Sequence, residues 1–95
     1  MQPEIRVIVE ALMAYVLANP HACDTGDGIE RWWLSGGRHS SREVAAALDW
    51  MVQSGCLQTV TAADGQIRYR RVAGDDTLKS ALDALRRANQ PPGVS

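Results

Sequence analysis

Between Ser40 and Arg71 the spacing of apolar residues changes from helical to alternating, which restricts the chain to folds in which a helix feeds directly into a two-stranded hairpin. Ser40 and Glu43 form an S-x-x-E capping box, a reciprocal pair that satisfies free N–H groups at a helix start. Val44, Ala47, Leu48, Met51 and Val52 follow on one helical face, and Gly55 is placed to terminate the helix. Asp64-Gly65 then separates two short alternating runs, the dipeptide that a two-residue type I′ turn favours. Pairing Ala63 with Gln66 sets Ala62 opposite Ile67, Val60 opposite Tyr69 and Gln58 opposite Arg71 on an inward face. Thr61 opposite Arg68 and Thr59 opposite Arg70 then form a solvent-facing strip.

Upstream, Pro3 stands where a first helical turn tolerates proline, and Ile5, Ile8, Val9, Leu12, Tyr15 and Val16 recur at helical spacing until Asn19-Pro20. Nearly every position from Ala11 to Ala18 is apolar, so this helix either fills the core or shares a second face with another copy of the chain. His21 to Gly26 reads as a loop, followed by a short helix carrying Ile29, Trp32 and Trp33, with Asp24 or Asp27 as its cap and Gly36-Gly37 as its end. Trp32 and Trp33 lie about 100° apart on such a helix, which predicts one in the core and one at its boundary. After Ala73-Gly74, the caps Asp75, Asp76 and Thr77 precede Leu78, Ala81, Leu82 and Leu85 on a final helix, where Lys79 can pair with Asp83. Arg86 and Arg87 suit its C-terminal dipole. One domain over residues 1–90 and a flexible tail over 91–95 follow.

These 95 residues, 45% of them apolar, suit a single core. The longest wholly apolar run, Ala11 to Ala18, is far short of the roughly 20 residues that cross a bilayer, so a soluble, cytoplasmic chain without a membrane partner is expected. Cys23 and Cys56 show no metal or disulfide spacing and read as buried thiols in a reducing compartment. The net charge of −1 opposes indiscriminate nucleic-acid binding, yet residues 1–37 carry −3 and residues 38–71 carry +2.

The order helix, short helix, capped helix, hairpin and terminal helix resembles the winged helix-turn-helix superfamily of bacterial transcription regulators, over Ile5 to Val72. The resemblance implies a mainly α fold with a small β-hairpin and an additional C-terminal helix. It further implies that the third helix enters the DNA major groove and that the hairpin, the wing, touches backbone or minor groove. Carried over by position, it places Ser40, Ser41 and Arg42 at the groove and Arg68 and Arg70 on the wing, with Arg38 adjoining. The polar turn Gly36-Gly37-Arg38-His39 is longer than that superfamily commonly has before the capping residue.

Stepping 100° per residue from Leu48 points Arg42, Glu43, Ala46, Asp49, Trp50 and Gln53 away from the apolar stripe. Trp50 beside Ala46 is then either the centre of a protein-binding patch or a side chain covered by the wing or terminal helix. Arg68, Arg70 and Arg71 read equally as phosphate contacts or as charges that keep a strand edge from pairing. His21, Cys23, His39 and Cys56 lack the partners of a metal site, and Gly26-x-Gly28 lacks the flanking strand of a nucleotide loop. His39-Ser40-Ser41 is explained by capping, with no orienting acid for a nucleophile. Neither a catalytic site nor a cofactor is expected.

The leading expectation is a DNA-binding winged-helix protein, a homodimer through the first and C-terminal helices, contacting double-stranded DNA through Arg38, Ser40, Ser41, Arg42, Arg68 and Arg70. The alternative is a winged-helix module that binds a protein partner through Ala46, Trp50 and the wing.

Overall fold

The computed structural model describes residues 1–34 and 39–88. The chain runs α1 (Pro3–Ala18), β1 (Cys23–Thr25), α2 (Gly26–Gly28), a π-helical segment (Ile29–Trp33), α3 (Ser41–Gln53), β2 (Leu57–Thr61), β3 (Ile67–Arg71) and α4 (Asp75–Ala88). Helices therefore dominate, beside one small antiparallel sheet of order β1-β3-β2. The turn Gly36-Gly37, Arg38 and the tail over 91–95 lie outside the described residues.

Helix α1 starts with Pro3 in its first turn and stops at Asn19, whose backbone and side-chain N–H groups both donate to the Tyr15 carbonyl. Ile8, Val9, Leu12, Met13 and Val16 are fully buried, so α1 forms the middle of the core. Helix α3 and helix α4 pack against it. The apolar stripe predicted for α3 is the buried one: Val44, Ala47, Leu48 and Met51 face α1's side of the core. At its end the Gly55 N–H donates to the Val52 carbonyl and the Cys56 N–H to Met51, with Gly55 at φ +80°. That pair of bonds is a Schellman closure, which only a residue at ease in the left-handed region completes without strain. On α4, Leu78, Leu82 and Leu85 turn inward, each worth about 1.5–3 kcal/mol of burial.

The segment expected to be a loop at His21 to Gly26 holds β1, which pairs with β3 as Cys23 to Arg70, Asp24 to Tyr69 and Thr25 to Arg68. Three residues are too short for a period to show in sequence; the strand exists because β3 offers it a ladder. The helix that follows is capped by Thr25, whose hydroxyl accepts from the Gly28 N–H at 3.2 Å, and not by Asp24 or Asp27. Asp24 accepts instead from the Thr25 N–H at 2.8 Å. The helix then widens, so that the Leu34 N–H reaches back five residues to the Ile29 carbonyl. Ile29 and Trp33 are buried, and the Trp33 ring stacks on Tyr15 with centroids 4.9 Å apart and planes 12° from parallel.

The hairpin register differs by one residue from the sequence expectation. Ala62, not Ala63, pairs with Gln66, and Thr61 stands opposite Ile67, Val60 opposite Arg68, Thr59 opposite Tyr69, Gln58 opposite Arg70 and Leu57 opposite Arg71. A type I′ turn needs positive φ at both Asp64 and Gly65, whereas among the described residues only Gly55 and Gly65 take positive φ. The loop therefore has three residues, closed by the Gly65 N–H on the Ala62 carbonyl, with Gly65 left-handed at φ +83° as in a bulged hairpin. Asp64 braces it by accepting from the Gln66 N–H at 3.0 Å. The slip exchanges the β2 faces: Val60 and Gln58, not Thr61 and Thr59, stand beside Arg68 and Arg70.

Two further expectations change. Cys56 is buried but Cys23 is exposed. The ion pairs among the described residues are Arg68–Asp64 and Arg71–Asp75; Lys79–Asp83 is not one of them.

Candidate nucleic-acid interface

Two elements carry the residues assigned to DNA, the start of α3 and strand β3. At the start of α3 the capping box forms as read: the Ser40 hydroxyl accepts from the Glu43 N–H at 3.1 Å, while the Ser40 N–H donates to Glu43 Oε1 at 3.0 Å. These bonds to Ser40, the backbone one foremost, hold the Glu43 carboxyl below its ordinary value. Ser40 is thereby occupied in capping. The Ser41 hydroxyl donates to both carboxylate oxygens of Glu30, at 3.2 and 3.0 Å, which ties the first turn of α3 to the π-helical segment. Arg42 is exposed beside them.

On β3, Arg68 and Arg70 alternate and so share the face opposite to Tyr69, which packs against the core. Each has a local partner. Arg68 lies 4.0 Å from Asp64, and Gln58, with its amide oxygen toward the strand partner, accepts from Arg70 Nε and Nη2 at 2.6 Å each. Cross-strand neighbours fill out the face as two rows, Cys23–Arg70–Gln58 and Thr25–Arg68–Val60. Pairing with β1 makes β3 the central strand of the sheet, so its arginines protect no edge.

Arg71 belongs to a different part of the molecule. Its guanidinium donates to the carbonyls of Ala73 at 2.8 Å and Val16 at 3.2 Å and pairs with Asp75, leaving the side chain 12% exposed. It joins the sheet to the end of α1 and the start of α4. Along with Arg70, His21 and Cys23, it also lines a shallow hollow beside Pro20.

Of the two fates the sequence leaves open for Trp50, the structure has the covered one. Ala46 and Trp50 are half-buried, and Trp50 packs against the core cluster. The 100° step leaves Trp50 about 60° from the buried Ala47, on the flank of the apolar stripe. The indole that stands in solvent is Trp32, 70% exposed, while its neighbour Trp33 is 7% exposed. Their opposite fates follow from the π-helical widening after Ile29, which keeps Trp33, four residues on, over that buried side chain and swings Trp32, three residues on, off its face. Glu30 and Trp32 are the site residues the sequence reading missed. An ordinary helical wheel anchored on Ile29 keeps both indoles on its face, at i+3 and i+4, so the exposure of Trp32 follows only from the widened π turn, and Glu30 is found only once two helices are in contact.

Among the described residues no group of three or more His, Cys, Asp or Glu side chains stands ready to hold a metal ion, and no helix is long and apolar enough to cross a membrane. No family model, curated protein or solved structure matches the chain.

Proposed function

We propose that this chain is a winged-helix DNA-binding domain, with the start of α3 directed to the groove and the β2–β3 hairpin acting as a wing. The element order supports the reading, because β1 completes a three-stranded sheet at the base of the hairpin. The single observation that carries it is the placement of Arg68 and Arg70 side by side on the outward face of β3. Their partners are an exposed carboxylate and a neutral amide, contacts that a phosphate oxygen can replace at little cost. Arg42, with Arg38 adjoining in sequence, adds positive charge at the other contact point.

The test is fluorescence anisotropy with mixed-sequence duplex DNA at about 50 mM and then about 200 mM salt, where displaced counterions make phosphate binding steeply salt-dependent. Wild type is expected to bind and to weaken with salt, and the Arg68→Ala/Arg70→Ala variant to bind less with a shallower salt slope. Absence of binding at the lower salt, or an unchanged double variant, sinks the reading.

A second reading, a module that binds a protein partner, is favoured by one observation: a tryptophan 70% exposed on the π-helical segment. In that reading Trp32, rather than Ala46 and Trp50, is the anchor, the chain does not bind duplex DNA at the lower salt, and Trp32→Ala abolishes capture of the protein partner.

A further inference from the structure

We propose that the hollow at the root of the sheet is an anion site, which takes a phosphate group, free or carried by a small molecule, between Arg70, Arg71 and His21. Its wall consists of Pro20, His21, Ala22, Cys23, Arg70 and Arg71, with two guanidinium groups, one imidazole and no carboxylate. The chain makes it by turning after α1 at Asn19-Pro20, where the Ala22 N–H closes on the Asn19 carbonyl, and by entering β1 alongside the end of β3. Cys23 is thereby set opposite Arg70, with His21 two residues before it. The volume is about 260 Å³, below the roughly 300–1,000 Å³ of sites for drug-sized molecules, so the occupant is an anion with few atoms attached.

The supply of donors points to an anion. A guanidinium carries five N–H groups. Arg71 gives three of them, to the Ala73 and Val16 carbonyls and to Asp75, which leaves two and fixes the side chain in place. Arg70 gives two, both to the Gln58 amide oxygen, which leaves three. Among the described residues neither arginine has a further partner. Asp75 answers the charge of Arg71, but Gln58 is neutral, so the charge of Arg70 stands uncompensated on the wall. An oxyanion seated there supplies both the missing charge and the acceptors, in bonds of the strong, charge-assisted kind. Little ordering is required on binding, since Arg71 is already held by three partners and Arg70 by Gln58. His21 adds one N–H when neutral and two when protonated. Donors from three side chains around one space suit the three terminal oxygens of a phosphate better than the two of a carboxylate.

Arg70 is also assigned to DNA, but the anion site does not rest on that reading and its test contains no DNA. The full chain is titrated at fixed pH with inorganic phosphate and, separately, with phenyl phosphate, chloride being withdrawn to hold the ionic strength constant so that general screening does not contribute. Wild type is expected to give saturable amide NMR shifts centred on His21, Ala22, Cys23, Arg70 and Arg71, with a Kd of about 1 mM. Tighter binding of the ester assigns the site to a small phosphomonoester, and equal or weaker binding assigns it to the free anion. Arg70→Ala is expected to weaken binding about tenfold and His21→Ala about threefold, while Arg68→Ala, outside the hollow, stays within about twofold of wild type. Circular dichroism checks the fold of each variant, and His21→Ala, in the turn, serves alone if Arg70→Ala disturbs the sheet. Shifts that do not saturate by about 20 mM with either probe, or binding that these two variants leave unchanged, overturn the proposal.

Discussion

The Arg71 guanidinium donates to the Val16 carbonyl at 3.2 Å, joining residues 55 positions apart in the chain. The same group serves Ala73 and Asp75, so one side chain closes the C-terminal end of α1, the root of the hairpin and the first turn of α4. Hydrogen bonds from a charged donor of this kind contribute about 1.5–3 kcal/mol when little water competes. Arg71→Ala is therefore expected to lower unfolding stability by about 2–3 kcal/mol. Arg68→Ala and Arg70→Ala, on the outer face, are expected to change it by less than about 0.5 kcal/mol each. Urea unfolding of the three variants checks this, and equal losses in all three would contradict the division between a structural arginine and two surface ones.

Gly28 has helical dihedrals that alanine adopts freely, so by propensity alone Gly28→Ala gains up to about 1 kcal/mol. Here, however, a Cβ on Gly28 would overlap the Asp24 carboxylate. Asp24 would have to swing away and lose its bond to the Thr25 N–H beside the helix start. The lost bond, worth about 1 kcal/mol, offsets the propensity gain, so we expect Gly28→Ala to leave stability within about 0.5 kcal/mol of wild type instead of raising it. In an Asp24→Ala background the same change is expected to stabilise by about 0.5–1 kcal/mol. A double-mutant cycle measures the coupling, and additive effects would mean the two side chains do not compete.

Trp32 and Trp33 are adjacent in sequence but differ tenfold in exposure. Trp33→Ala removes a buried ring stacked on Tyr15 and is expected to cost about 3–5 kcal/mol. Trp32→Ala is expected to stay within about 0.5 kcal/mol of wild type. In emission spectra, iodide is expected to quench a fraction of the fluorescence that Trp32→Ala abolishes; persistence of that fraction would place the accessible indole elsewhere.

Glu43 gives α3 a defined acid sensitivity. Its carboxyl is held below the ordinary 4.5 by the Ser40 N–H first and the Ser40 hydroxyl second, with His39 adding a favourable charge. A carboxyl lowered in the folded state contributes stability that is complete above the ordinary value and is lost as pH falls through the lowered one. The Glu43 carboxyl resonance is expected to titrate with a midpoint under 4.5, and Ser40→Ala to move that midpoint up while costing about 1 kcal/mol. A midpoint unmoved by Ser40→Ala would assign the whole shift to the backbone N–H, which alanine keeps, and none of it to the hydroxyl.

Local signals carried most of the helices. The Ser40–Glu43 box, Gly55, Pro3 and Asn19-Pro20 act over four or five residues, and each behaves in the structure as its chemistry dictates. The hairpin shows the limit of such signals. Asp64-Gly65 is compatible with a two-residue loop having two positive-φ residues or a three-residue loop having one, and the dipeptide alone does not choose. The register follows from burying Leu57 under α3 and Tyr69 against the core, a requirement visible only when helix and sheet are stacked. Of the candidate site residues, the common outward face of Arg68 and Arg70 was legible because strand alternation is local. The bond from Ser41 to Glu30 was not, since it spans the packing of two helices.

What the sequence by itself determined, then, was where helices start and stop and which of their faces are apolar, because capping and the 3.6-residue period are set by near neighbours along the chain. What only the tertiary structure decided was everything that depends on a second element being present. Strand β1 exists because β3 offers it hydrogen bonds, β3 becomes central and so leaves β2 as the edge, Trp50 is covered while Trp32 is not, and Arg71 is withdrawn from the surface by carbonyls of α1 and the α4 approach. A backbone hydrogen bond or a buried contact needs a partner brought in from far along the chain, and no local pattern specifies which partner arrives.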